Sequence, residues 1–180
     1  MIFTELALRG AYMVDVELRE DERGHFARSF CAEEFARHDL KIHVAQCNVS
    51  FNRRKGTLRG MHFQAPPKEE AKLVRCTRGS VHDVIVDLRD GSPTFARWVA
   101  VVLSEENSRM IYVPEGFAHG FQTLVDNSDV FYQMFQSYSQ ELARGFRWDD
   151  PAFGIRWPLS DPIVSERDRM LPLLGRPRAK

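Results

Sequence analysis

Two short segments carry most of the chemistry in this 180-residue chain: Leu58-Arg59-Gly60-Met61-His62-Phe63-Gln64 and Pro114-Glu115-Gly116-Phe117-Ala118-His119-Gly120-Phe121. Each sets a histidine among glycines and aromatics in strand-like sequence. Two imidazoles on rigid strands, with Arg59 and Lys72 close by in sequence, point to a proton-transfer site that also holds an anion. His62 reads as a base facing a cavity. Buried cations without partners are costly, so Arg59, Lys72 and His119 grouped in a strand core favour a polar cavity over a lone core histidine. Lys72 alternates with apolar neighbours and suits an ammonium that stabilises a developing oxyanion. Tyr132 is a phenol able to hand a proton to a carbanion. Tyr138, six residues on, would share its face on a regular strand. Asp168 joins this group only if the tail folds back to hydrogen-bond His62, fixing its tautomer and stabilising the imidazolium.

The elements that must position these residues are short strands separated by turn signals. Ala11–Leu18 alternates, with Val14, Val16 and Leu18 on one face. Asp21-Glu22-Arg23-Gly24 reads as a turn. Residues 33–38 suggest one or two helical turns, and Val44–Phe51 resumes extended structure. In Val81–Leu88, Val84, Val86 and Leu88 share one face, and Asp83 and Asp87 the other. Trp98–Leu103 is apolar on both faces, as for a strand buried between two sheets. Met110–Val113 and Val130–Gln136 add two more. Beyond Trp148 the tail is Pro-rich and irregular, apart from a short turn near Ser165–Met170. Many short strands, little helix and frequent Gly/Pro turns predict an all-β antiparallel sandwich or barrel. The length suits one domain over residues 1–180.

Bulk numbers narrow the function classes. There are 25 basic and 25 acidic side chains, for a formal net charge of zero. Charge therefore gives no support to a general nucleic-acid or membrane-surface role, and an anion site must be built locally. Cys31, Cys47 and Cys76 are odd in number and widely spaced, which argues against a disulfide framework or zinc knuckle. No signal-peptide pattern and no run of 18 apolar residues is present. A cytoplasmic enzyme fits these features.

Pro114-x-Gly116-x-x-His119 resembles the second half of the cupin signature, which marks a small jelly-roll. Metal-binding cupins carry a His-x-His pair in the first half; here the sequence is His62-Phe63-Gln64. Two histidines and a lysine make a poor divalent-cation site, so no metal is expected. More widely, the chain resembles the dTDP-4-dehydrorhamnose 3,5-epimerase family of the cupin superfamily. The likeness runs through Asp21–Gly24, Gln46-Cys47-Asn48, Gly56–His62, Lys72–Arg75, Asp83–Asp87 and Ser92-Pro93-Thr94. It continues through Pro114–Phe121, Trp148–Pro151 and Ile155-x-Trp157-Pro158.

The resemblance implies a cupin-type jelly-roll and an epimerase acting on a nucleotide-linked 4-keto sugar through an enolate. It implies His62 as base, Asp168 as its dyad partner, Tyr132 as acid on the opposite sugar face and Lys72 near the C4 oxygen. Arg59 and His119 would line the same pocket. Arg23, Gln46, Asn48 and Arg167 match positions around the nucleotide and diphosphate. Phe26 matches an aromatic that stacks near the base, often supplied by the partner subunit of a homodimer. No cofactor is implied, because nothing is oxidised overall. Arg28 stands where rhamnose-pathway members usually carry an acid, and Ala143 where they tend to carry glutamate. An acid accepts a hydrogen bond from a base N–H and arginine only donates, so the nucleotide (dTDP, GDP or CDP) stays open. Single 3- or 5-epimerisation, 3,4-ketoisomerisation, a metal-dependent cupin oxygenase and a non-catalytic sugar-binding cupin are the alternatives.

Overall fold

The computed structural model describes residues 1–175. In chain order the strands are β1 (Ile2–Glu5), β2 (Tyr12–Asp15), β3 (Arg19–Asp21), β4 (Gly24–Phe26), β5 (Gln46–Asn52), β6 (Thr57–Gln64) and β7 (Lys72–Arg78). They continue as β8 (Ser80–Asp87), β9 (Trp98–Ser104), β10 (Met110–Val113), β11 (Phe117–Thr123), β12 (Ser128–Met134), β13 (Ala143–Gly145) and β14 (Ile163–Val164). Two short helices, α1 (Ala32–Ala36) and α2 (Glu166–Arg169), complete the frame.

Two sheets face each other, the first ordered β1-β2-β10-β7-β12-β5 and the second β13-β6-β11-β8-β9. β3 and β4 form a separate hairpin. The expected antiparallel sandwich is present. Its central core joins Val74, Cys76 and Val130 of the first sheet to Val81, Ile85, Leu103, Phe117 and Phe121 of the second. Burial pushes the Cys76 thiol up to about 11, so it stays a protonated packing group.

Both sheets are also covered on their outer faces. Phe35 of α1, with Phe30 and Phe135, packs on Leu73, Met110 and Tyr112. On the other side Phe146, Phe153, Ile155 and Trp157 from the C-terminal segment cover Met61, Val84, Val86 and Ala118. The alternation expected in β8 is present, and both of its faces are covered. Val84 and Val86 face outward but lie under the tail, while Asp83 shares the inward face with Val81 and Ile85. The acidic face is the interior one.

Three further expectations change. The strand starting near Ala11 ends at Asp15, and Leu18 is exposed. β9 is the edge of its sheet rather than a strand buried on both faces, and Val102 is exposed. β12 stops at Met134, short of the expected Gln136. The turn at residues 22–23, the helical turn at α1 and the short helix near Asp168 fall where the sequence put them.

Candidate active site

A bulge decides which β6 side chains enter the space between the sheets. β6 pairs β11 with His62 opposite His119, and Arg59 opposite Phe121. Three steps on β6 thus match two on β11, so β6 holds one extra residue. Without it, Arg59 and His62 would point to opposite faces. With it, both line one cavity. Gly60 makes this possible. Its φ is +132°, and a Cβ there would lie 2.6 Å from the Cα of Gly120. A Cβ on Gly120 would in turn meet the Met61 Sδ at 2.7 Å. Only a glycine pair lets the two strands cross this closely.

The cavity has a volume of about 260 Å³. Arg59, His62, His119 and Phe121 form one wall, from the second sheet. Lys72, Tyr132, Met134, Gln46 and Asn48 form the other, from the first. These last five share a face because Met134 pairs with both Lys72 and Gln46, and Tyr132 with Asn48. A histidine and a tyrosine therefore approach one space from opposing sheets.

His62 Nε2 lies 2.8 Å from Asp168 Oδ1. Asp168 is brought there by the tail. β14 pairs parallel with the start of β6, and Ser165 then caps α2 by accepting the Asp168 N–H at 3.1 Å. The second carboxyl oxygen accepts from Gly60 N at 3.3 Å. Burial works to raise the Asp168 carboxyl. The hydrogen bond and charge of His62, with the Gly60 N–H, outweigh it and hold the group below the ordinary carboxylate value. An ionised carboxylate only accepts, so His62 carries its proton on Nε2 and keeps Nδ1 free to take another.

His119 repeats this arrangement deeper in the wall. Its Nε2 lies 2.8 Å from Asp83 Oδ2, both groups are buried, and its ring meets Tyr132 edge-on with centroids 5.9 Å apart. Asp83 Oδ1 is buried with no hydrogen-bond partner among the described residues. Burial and the Asp83 charge raise the Tyr132 phenol well above its usual value, and Arg59 offsets this only in part. The phenol stays protonated at neutral pH, as a proton donor must. Arg59 Nε donates to Asn52 Oδ1 at 2.8 Å, and Asn52 is itself anchored to the Ser50 and Ser128 carbonyls. Lys72 is almost fully buried and its Nζ donates to Glu70 Oε1 at 2.6 Å.

Tyr138 lines the cavity, though not by the expected route. Past the end of β12 its N–H donates to Gln46 Oε1 at 2.9 Å, while Gln64 accepts the Ser139 N–H and donates to the Ser137 carbonyl. Arg167 lines an adjoining cavity of about 170 Å³, with His62, Glu70, Tyr138, Ala143 and Arg144. Arg23 and Phe26 are not brought to either cavity. Arg23 pairs with Asp21 in the β3–β4 turn, and Phe26 is 71 % exposed beside a separate groove with Arg28. Sequence reading missed Glu70, Asn52 and the inward role of Asp83. Glu70 had a signal, since it stands two residues before Lys72 in extended sequence. Asp83 and Asn52 had none without the strand pairing. Among the described residues, no three His, Cys, Asp or Glu side chains gather into a metal-binding group.

The family model for dTDP-4-dehydrorhamnose 3,5-epimerase matches residues 5–176. The chain belongs to the dTDP-4-dehydrorhamnose 3,5-epimerase family. It is accordingly an enzyme, a carbohydrate epimerase. A dTDP-4-dehydrorhamnose 3,5-epimerase of Sinorhizobium fredii is 42 % identical over 175 residues, covering 97 % of this chain and 90 % of the relative. The crystal structure of the Bacillus anthracis enzyme, with TDP and PPi bound, matches with a TM-score of 0.93 at 40 % identity, over 96 % of this chain and 99 % of that one. The Legionella pneumophila enzyme, in complex with dTDP-4-keto-L-rhamnose, matches with a TM-score of 0.90 at 36 % identity, over 96 % and 92 %. These matches carry the jelly-roll reading over nearly the whole epimerase.

Proposed function

We propose that this epimerase inverts C3, C5 or both in a nucleotide-linked 4-keto-6-deoxyhexose, with His62 as base and Tyr132 as acid. The observation that carries this is the placement of the two side chains on opposing sheets around one cavity. Inversion requires a proton to leave one face of a carbon and return to the other.

The C4 ketone acidifies the hydrogens on C3 and C5. His62 Nδ1 removes one, and Asp168 stabilises the imidazolium that forms. The electron pair moves onto the ketone oxygen, where the Lys72 ammonium, with Arg59 and His119, stabilises the enolate. The enolate then collapses as Tyr132 delivers its proton to the opposite face. Solvent restores both groups to their starting states. Oxidation state is unchanged, so the step draws on no redox partner. Arg59, Arg167, Gln46 and Asn48 hold the diphosphate and nucleotide, and Tyr138 closes the sugar end.

The whole chain, residues 1–180, acts as one domain in a cytoplasmic homodimer. In support of the dimer, edge strand β5 turns Val49 and Phe51 outward, 66 % and 46 % exposed. Arg23 and Phe26, remote from their own cavity, then reach the partner's substrate and stack near its base. Three free thiols suit a reducing compartment.

Proton NMR in D₂O with dTDP-, GDP- and CDP-linked 4-keto-6-deoxy sugars tests the reading. The dTDP sugar is expected to turn over fastest, with deuterium entering C3 or C5. No deuterium uptake from any of the three would rule the proposal out.

A further inference from the structure

Lys72 and Glu70 form an ion pair that the reaction as described does not use in full. Both are largely withdrawn from solvent, with side chains 5 % and 11 % exposed, and their Nζ–Oε1 separation is 2.6 Å. They flank Ala71, whose carbonyl accepts the Phe135 N–H at 3.0 Å. This fixes the backbone just ahead of β7, and the contact itself shows that both side chains leave it on the same side. Glu70 contributes to the walls of both cavities, and no other carboxylate does so among the described residues. Asp168 and Asp83 stand behind their histidines instead. The other titratable groups around Lys72 are Arg59 and His62 from β6, His119 from β11, Tyr132 from β12, and Tyr138. Glu70 is thus the one anion facing an otherwise cationic and neutral cavity.

We infer that Glu70 is a positioning residue for the reaction: it fixes the Lys72 ammonium toward the ketone oxygen and keeps it charged there. The inference rests on the proposed epimerisation and adds a residue to it. A lysine side chain has four rotatable bonds and a compact, strongly hydrated charge. Withdrawn from water, it holds that charge only beside an anion. Glu70 supplies the anion and a fixed acceptor together. Among the described residues only one of its carboxyl oxygens is engaged, by Lys72, so the carboxylate also repels phosphate groups from its immediate surroundings.

Glu70→Gln separates the two duties, because the amide keeps an acceptor of the same shape and loses the charge. With a 4-keto sugar that the wild type turns over, this variant is expected to lose roughly tenfold in kcat, with KM changed less than about threefold. Glu70→Ala removes the acceptor as well, and kcat should fall about 10²-fold at every pH. In a Lys72→Gln background, Glu70→Gln should add less than about twofold, as expected for a residue acting through Lys72.

A kcat in Glu70→Gln within about twofold of the wild type would overturn the inference, whatever its melting temperature. Full multiplication of the two effects in the double variant would also overturn it. Absence of turnover by the wild type strikes instead at the proposed epimerisation, which keeps the two failures apart.

Discussion

His62 has one ring nitrogen committed to Asp168 and, in the proposed mechanism, the other turned to the substrate, and that division sets what its replacement should do. His62→Asn should lower epimerisation by at least about 10³-fold while the affinity for dTDP changes little, as measured by steady-state rates and titration calorimetry. Tyr132→Phe should behave differently. The base can still take a proton and return a deuteron to the same face, so exchange with retention survives while inversion falls by about 10²–10⁴-fold. Asp168 also couples the site to stability. Its carboxyl titrates lower in the folded chain than in the unfolded one, so its contribution is present above an unfolded value near pH 4. It is lost as the pH falls through the lowered native value. The stability gap between wild type and Asp168→Asn, read from urea melts, should therefore be larger at pH 7 than at pH 3. At this scale His62, His119, Lys72 and Tyr132 were legible in the sequence because polar groups interrupt strands that otherwise alternate. Glu70 and Asp83 were not, because their meaning depends on which lysine or histidine faces them.

Strand β6 carries the site only because it has one residue too many opposite β11. Gly60→Ala forces a side chain into a positive-φ position against the Gly120 backbone. It should cost about 1–3 kcal/mol and rotate Arg59 and His62 out of the shared cavity. The check is a chemical melt together with kcat, and activity should fall further than the loss of folded protein explains. The loop after β8 is held in another way. Asp87 accepts from Arg89 Nε at 2.9 Å, Arg89 Nη2 at 2.8 Å, and the Ser92 and Thr94 hydroxyls at 2.6 Å each. Burial opposes its charge, yet these bonds hold it well below the carboxylate range. Asp87→Asn should destabilise the fold by about 2–4 kcal/mol without moving the pH profile of kcat, since Asp87 lines neither cavity. Strands β8, β10 and β12 were readable from the sequence, β8 by its alternation. Which face was interior was not, because α1 and the C-terminal segment bury the outer faces with the same kind of side chain. A bulge leaves no mark in hydrophobic periodicity beyond the glycine itself.

The whole molecule is a sandwich whose core is apolar toward β9 and β10 and opens into a polar cavity between β5, β6 and β12. Its tail returns across the second sheet to deliver Asp168, so the described residues beyond β13 shape the cavity wall as well as wrap the sheet. The order of matching motifs, rather than any one of them, made the family legible from sequence. The same resemblance pointed to a partner contribution from Phe26, which in one copy of the chain, like Arg23, looks like an ordinary surface residue. If the partner supplies them, Phe51→Glu, at an exposed position that lines neither cavity, should dissociate the dimer on light scattering and raise KM for the nucleotide sugar at least about tenfold. The most direct test follows a dTDP-linked 4-keto-6-deoxy sugar in D₂O by proton NMR with wild type, His62→Asn and Tyr132→Phe side by side. Opposed delivery predicts deuterium with inversion for the first, neither for the second, and deuterium with retention for the third. Inversion at the wild-type rate by either variant would contradict the two-sided transfer between His62 and Tyr132.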